Sequence, residues 1–126
     1  MTMSWRYESS TGVLTSPDGS RQDTGYSGHP PHVNDPAAEA ILGVGPIPRG
    51  SWWIGTAEDH PQLGPDAIPL SPVRGTDATW TYGRSGFFIH GDNPEMNQTA
   101  SHGCIILPRA VRELIAASTD KILVVF

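Results

Sequence analysis

Fourteen glycines and twelve prolines punctuate this 126-residue chain, about a fifth of its length. That density limits the fold more than any other feature. A proline inside a helix removes a backbone hydrogen bond and clashes with the preceding turn, and a glycine there costs conformational entropy. A helical bundle is therefore disfavoured. Short strands joined by many turns are expected, in a mainly β, single compact domain covering residues 1–126 with a real but modest core. Four tryptophans and regular apolar clusters set the chain apart from disordered, low-complexity sequence.

Local patterns extend this. Trp5-Arg6-Tyr7 alternates as a strand does, Gly12-Val13-Leu14 reads as its hairpin partner, and Ser16-Pro17-Asp18-Gly19-Ser20 supplies turn chemistry behind them. The proline-rich segment 28–45 reads as a surface loop with one helical turn over 35–40. Strands are expected over 51–55, 67–73 and 78–82, the last two joined by a turn at 74–77. Phe87-Phe88-Ile89 has the continuous apolar pattern of a strand buried on both faces, which leaves His90 at its end. Beyond Pro108, which suits a first helical turn, Val111, Leu114, Ile115 and Ala117 recur near helical spacing. Residues 121–126 close the chain as a buried strand.

Thirteen acidic residues against eight basic ones leave a net charge of -5, with no lysine–arginine cluster. Binding to nucleic acid or to an anionic membrane is not expected from such a chain. A local basic site around Arg109 and Arg112 is the one exception. No apolar run reaches the length of a membrane span, and residues 1–12 lack the basic start and apolar stretch of a secretory signal. The expectation is synthesis in the cytoplasm, or export by a route that needs no cleaved signal.

The single cysteine cannot form an intrachain disulfide. It lies in Phe87–Pro108 with two of the five histidines, directly after Ser101-His102-Gly103. His90, His102 and Cys104 are three potential zinc ligands, but no fourth ligand at helical spacing accompanies them, so neither a metal nor a cofactor is expected. Nucleophilic chemistry fits better. A thiol titrates near 8.5, about, and needs a neighbouring base to become a thiolate at neutral pH. His90 at a strand end suits that role, and its second ring nitrogen needs an acceptor such as the Gly91 carbonyl or Asp92. Gly103 lets backbone N–H groups point at an oxyanion, and His102 is a second donor to substrate or thiolate. Against this stands the reading of Cys104, in Cys-Ile-Ile-Leu, as a small core residue.

Ile89-His90-Gly91, a loop, and then Ser101-His102-Gly103-Cys104-Ile105 is similar to the active-site signature of the L,D-transpeptidase catalytic domain, the YkuD-like fold. The resemblance implies a YkuD-like β-sandwich or barrel-type domain with one main helix after the cysteine. It implies His90 as general base, Gly91 as the carbonyl that orients it, and Cys104 as nucleophile. Ser101, His102 and Gly103 match the residues before the thiol, and the Gly103–Cys104 backbone is the implied oxyanion hole. Residues 4–14, 24–28, 45–55 and 86–93 resemble a small subgroup that includes type VI secretion effectors attacking peptidoglycan. That implies acyl transfer on peptidoglycan stem peptides, with a cognate immunity protein and a type VI secretion component as partners. It also implies action in the periplasm of a target cell. Ile106 stands where many members carry an arginine, so Arg109 or Arg84 becomes the candidate for a substrate carboxylate, and Tyr26 a candidate cleft residue.

Other features read more plainly. His29, His32 and His60 are loop histidines, and Asp92 is a turn former. Trp52 and Trp53 must point to opposite faces of a strand, so only one can pack in the core. Two alternatives to the acyltransferase are a wall-cleaving cysteine peptidase, which commonly has cysteine before histidine, and a binding module with an inert buried cysteine.

Overall fold

The computed structural model describes residues 3–75 and 78–126. Its strands are β1 (Trp5–Glu8), β2 (Val13–Thr15), β3 (Gln22–Thr24), β4 (Tyr26–Ser27), β5 (Gly50–Ile54), β6 (Glu58–His60), β7 (Gly64–Pro72), β8 (Phe88–His90), β9 (Ile105–Ile106) and β10 (Ile122–Val125). A short 3₁₀ turn covers Pro36–Ala38, and α1 covers Arg109–Ala117. The fold is mostly β with a single helix after the cysteine.

The strands form one strongly curled sheet in the order β3-β2-β1-β10-β5-β7-β8-β9-β4, with β6 on the side of β7. β1 with β10 and β8 with β9 are parallel; the remaining pairs are antiparallel. The two ends of this order, β3 and β4, are separated in the chain only by Gly25, whose N–H donates to Gly12 O at 2.8 Å. The sheet therefore nearly closes into a barrel, which removes most exposed edge.

Alternation along the strands sorts the side chains. Trp52, Ile68, Ile89, Ile105, Ile115 and Leu123 are fully buried and share one core. Each large apolar side chain so buried contributes roughly 1.5–3 kcal/mol. Trp52 fills the centre, donating its indole N–H to Pro48 O at 3.0 Å, while Trp53 is half exposed on the opposite face. That is the division the strand period demands.

Several expectations change. Residues 78–82 alternate like a strand but form none: the Thr79 N–H turns back to Val73 O at 2.9 Å, and its hydroxyl to Ser51 O, so the segment folds over the β5–β7 edge. The turn expected at 74–77 falls partly outside the described residues. β3, β4 and β6 were not anticipated, because polar runs as short as Gln22–Thr24 and Glu58–His60 carry no apolar period. In α1 the buried residues are Val111, Arg112 and Ile115, while Leu114 is largely exposed. Pro108 lies one residue before the helix rather than within it. The basic site envisaged at Arg109 and Arg112 does not form. Arg109 pairs with Asp66 at 2.7 Å, and Arg112 is buried with its guanidinium on the Leu107, Pro65 and Asp66 carbonyls.

Candidate active site

The site lies where β8, β9 and β4 run side by side. β8 and β9 pair in parallel with Ile89 opposite Ile105 and His90 opposite Ile106, and β4 pairs with β9 with Tyr26 opposite Ile106. Ile89, Ile105 and Ser27 thus face the core, and alternation sends Tyr26, Ile106 and His90 to the other face. Cys104 immediately precedes β9, one diagonal step from His90 across the parallel ladder.

His90 is 5 % exposed, and its Nδ1 lies 2.8 Å from Gly91 O. This carbonyl favours a proton on Nδ1 and leaves Nε2 as the basic nitrogen. Burial pushes the imidazole below its ordinary titration range. Gly91 O and Asp92 act upward, and the Arg112 charge adds to the depression. At neutral pH His90 is therefore an uncharged base.

The Cys104 thiol opens into a cavity of about 240 Å³, walled by Arg84, Gly86, Phe87, His102 and Gly103, with Leu42 at its rim. Its contact is Gly86 O at 3.8 Å. Burial raises the thiol above its usual range, while the Phe88 N–H and the Arg84 charge act downward. His90 borders a separate hollow with Gly91, Asp92, Asn93 and Leu63. Among the described residues the two side chains line different hollows and make no hydrogen bond to each other.

A buried hydroxyl shapes the turn before the thiol. Ser101 Oγ accepts from Gly28 N at 2.9 Å and from Gly103 N at 3.1 Å, and donates to Cys104 O at 2.6 Å. Ser27 Oγ donates to Gly103 O at 3.1 Å and accepts from Ile47 N. Ser101 is thus turned inward, away from the cavity, and the Gly103 N–H is already spent on it. Gly103 sits at φ +137°, and a Cβ there would come within 2.6 Å of Arg84 Nη2. Only glycine suits that backbone and that proximity.

The remaining candidates are placed as follows. His102 is exposed, with Nδ1 2.8 Å from Gly43 O and its ring stacked on His29 at 4.6 Å, so His29 is not merely a solvated loop residue. Tyr26 donates to Asp92 Oδ1 at 2.7 Å and accepts from Ala100 N at 3.2 Å, which ties the 92–100 loop to β4. Burial and Asp92 push this phenol up to about 12. Asp92 is therefore an anchor as well as a turn former. Arg109 lies outside the thiol cavity on its Asp66 ion pair. Arg84 lines the cavity, but its guanidinium is occupied by four backbone carbonyls, those of Glu39, Gly45, Pro46 and His102. Ile106 is buried between Tyr26 and His90 in the register, where it offers no charge.

The solved structures similar in fold are L,D-transpeptidases. An Enterococcus faecium L,D-transpeptidase mutant superposes with a TM-score of 0.57 and 18% identity, over 100% of this chain and 50% of that one. Mycobacterium tuberculosis L,D-transpeptidase 1 gives 0.56 and 18%, over 98% and 58%. The catalytic domain from the E. faecium enzyme gives 0.54 and 19%, over 98% and 96%. The chain thus spans about half the length of the longer enzymes and nearly all of the isolated catalytic domain. No curated protein sequence matches it. The family model described as the Tlde1 domain matches residues 21–124. With that match over most of its length, on an L,D-transpeptidase fold, the chain belongs to the Tlde1 domain family, a family of type VI secretion effectors.

Proposed function

We propose that this chain is a cysteine acyltransferase acting on peptidoglycan stem peptides, delivered as an antibacterial type VI effector. Family and fold support a peptidoglycan-acting effector. The observation that carries the chemistry is the His90 Nδ1–Gly91 O contact of 2.8 Å. It favours the proton on Nδ1 and leaves Nε2 free on a residue one diagonal step along the ladder from Cys104.

In this reading Cys104 Sγ attacks the carbonyl of the third stem residue at its L-centre. The thiol proton passes to His90 Nε2. The tetrahedral oxyanion is met by the Cys104 N–H, since the Gly103 N–H is held by Ser101. Collapse expels the amine of the terminal D-Ala, which takes the proton from His90, and leaves a thioester on Cys104. Water then gives L,D-carboxypeptidase products, a free D-amino acid gives exchange, and a second stem gives a cross-link. The absent His90–Cys104 hydrogen bond calls for a small imidazole or thiol rotation on substrate binding, since catalytic contacts often tighten only in the complex. A cognate immunity protein and a type VI delivery component are the implied partners.

The test is mass spectrometry of peptidoglycan fragments incubated with wild type and Cys104→Ala. Loss of terminal D-Ala, or its replacement by an added D-amino acid, is expected for wild type only. Identical fragment profiles from both proteins would sink the catalytic reading. One observation favours the inert-cysteine alternative: burial raises the thiol and His90 does not touch it. That reading requires Cys104 to resist alkylation until the protein is unfolded.

A further inference from the structure

Arg84 is 5 % exposed, and every hydrogen bond it makes goes to a neutral carbonyl. Nη1 donates to Glu39 O and to Pro46 O, the latter at 2.9 Å; Nη2 donates to Gly45 O at 2.8 Å and His102 O at 3.3 Å. The guanidinium also lies over the Phe87 ring, 5.2 Å from its centroid. Among the described residues no carboxylate forms an ion pair with it. The nearest acid in this network, Glu39, turns its carboxylate to Arg49 and Tyr82 instead.

A buried cation whose hydrogen bonds all go to neutral groups is costly, several kcal/mol even after relaxation, and the Glu39 charge offsets this only from a distance. The structure nonetheless holds it rigidly in the wall of the thiol cavity, against Gly103, where a side chain on residue 103 would displace it. The one group in that cavity able to become an anion is Cys104. His102, the other titratable wall residue, is exposed and bonded to Gly43 O, and His90 lines a different hollow and makes no hydrogen bond to the thiol. His29 stacks on His102.

We propose that Arg84 is the fixed counter-ion of the Cys104 thiolate, a positioning residue that holds a positive charge in the cavity wall before substrate arrives. In the free protein, on ionisation the S–H bond breaks, the electron pair stays on Sγ, and the proton leaves to water. The cation, until then supported only at a distance by Glu39, gains a partner in its own cavity. Arg84 also ties the 39–46 segment to the turn that carries Gly103, so one side chain sets both the field and the shape of the site. A fixed charge already present needs no reorganisation at the moment of reaction. The downward pull of Arg84 on the thiol agrees with this geometry.

The inference rests on Cys104 being the nucleophile, and its test separates the two claims because it needs no peptidoglycan. The rate of Cys104 alkylation by iodoacetamide is followed against pH in folded wild type, Arg84→Lys, Arg84→Gln and His90→Ala, with circular dichroism to verify folding. Arg84→Gln is expected to move the alkylation midpoint to higher pH and to slow alkylation at pH 7, about, by roughly tenfold, one unit of thiol titration. Arg84→Lys restores part of the shift, and His90→Ala leaves the midpoint near wild type. A merely structural arginine would lower the melting temperature and leave the midpoint in place. If Arg84→Gln does not fold, Arg84→Lys and His90→Ala decide. A His90→Ala midpoint moved to higher pH while that of Arg84→Lys stays at the wild-type position overturns the proposal, as does a folded Arg84→Gln with an unshifted midpoint. Cys104 unreactive until unfolding overturns the nucleophile reading and the counter-ion with it.

Discussion

Two buried arginines stand behind the two halves of the site, and they differ in what they face. Arg112, on α1, is 4 % exposed and holds the Leu107, Pro65 and Asp66 carbonyls; Arg84, ahead of β8, holds the Glu39, Gly45, Pro46 and His102 carbonyls. Each presses on a glycine of the signature. A Cβ on Gly91 would meet Arg112 Nη1 at 3.1 Å, and one on Gly103 would meet Arg84 Nη2 at 2.6 Å. Each feels a carboxylate charge without pairing with it, Asp66 for Arg112 and Glu39 for Arg84, and Arg112 lies beside an imidazole, whose charged form it disfavours. Arg84 lies beside a thiol, whose charged form it favours. The same device, a cation fixed by backbone carbonyls, adds to the burial that depresses the His90 titration on one side and pulls against the burial that raises the Cys104 thiol on the other. The sign of the effect depends only on whether protonation adds or removes charge.

The largest test of this pairing removes the nucleophile. Cys104→Ala is expected to lower D-Ala release by at least about a thousandfold, read by mass spectrometry, since nothing else in the cavity can form the thioester. His90→Ala should cost about a hundredfold or more in kcat, the usual worth of a positioned base. If the two losses multiplied independently in the double variant, the two halves would not act as one unit.

Arg112→Met tests the base side. Losing charge-assisted bonds to three buried carbonyls should destabilise the fold by roughly 3 kcal/mol, read as a urea midpoint. In the protein that remains folded, the acid limb of kcat/KM should move to higher pH, because one cause of the depressed His90 titration is gone. An unmoved limb would break the symmetry with Arg84. In wild type, the unfolded imidazole titrates near 6.5, about, and the folded one lower. Protons therefore bind the unfolded chain first, and His90 contributes a loss of stability as pH falls through and below that value. The smallest effect expected is that of Tyr26→Phe. It removes the hydroxyl between Asp92 and Ala100, costs about 1 kcal/mol, and should speed amide exchange at Ala100 while leaving the Cys104 alkylation midpoint in place.

Much of this was legible from residue patterns. The apolar run ending at His90, the helix after Pro108 and the closing strand appear close to where the chain announced them, as does the Trp52–Trp53 division. The bond from His90 to its neighbour Gly91 is local and followed from adjacency. What failed was either too short or too polar to carry a period, as in β6, or satisfied by a distant partner, as with Thr79 on Ser51. Arg84 was read as a substrate ligand because Tyr-Gly-Arg-Ser-Gly holds no hint of four carbonyls, three of them from residues 39–46. Ser101 was read only as part of the motif before the thiol, and it is the register of β4 against β9 that brings the Gly28 N–H to its hydroxyl.

By itself, the sequence determined the mainly β architecture and the motif in which His90 precedes Cys104, because turn chemistry, apolar periodicity and motif spacing are properties of neighbours along the chain. The tertiary structure decided which cations are buried, which N–H groups are already spent, and that imidazole and thiol open into different hollows. Those depend on carbonyls and strands brought together from positions far apart in sequence, where desolvation and register, rather than residue type, set the electrostatics of the site.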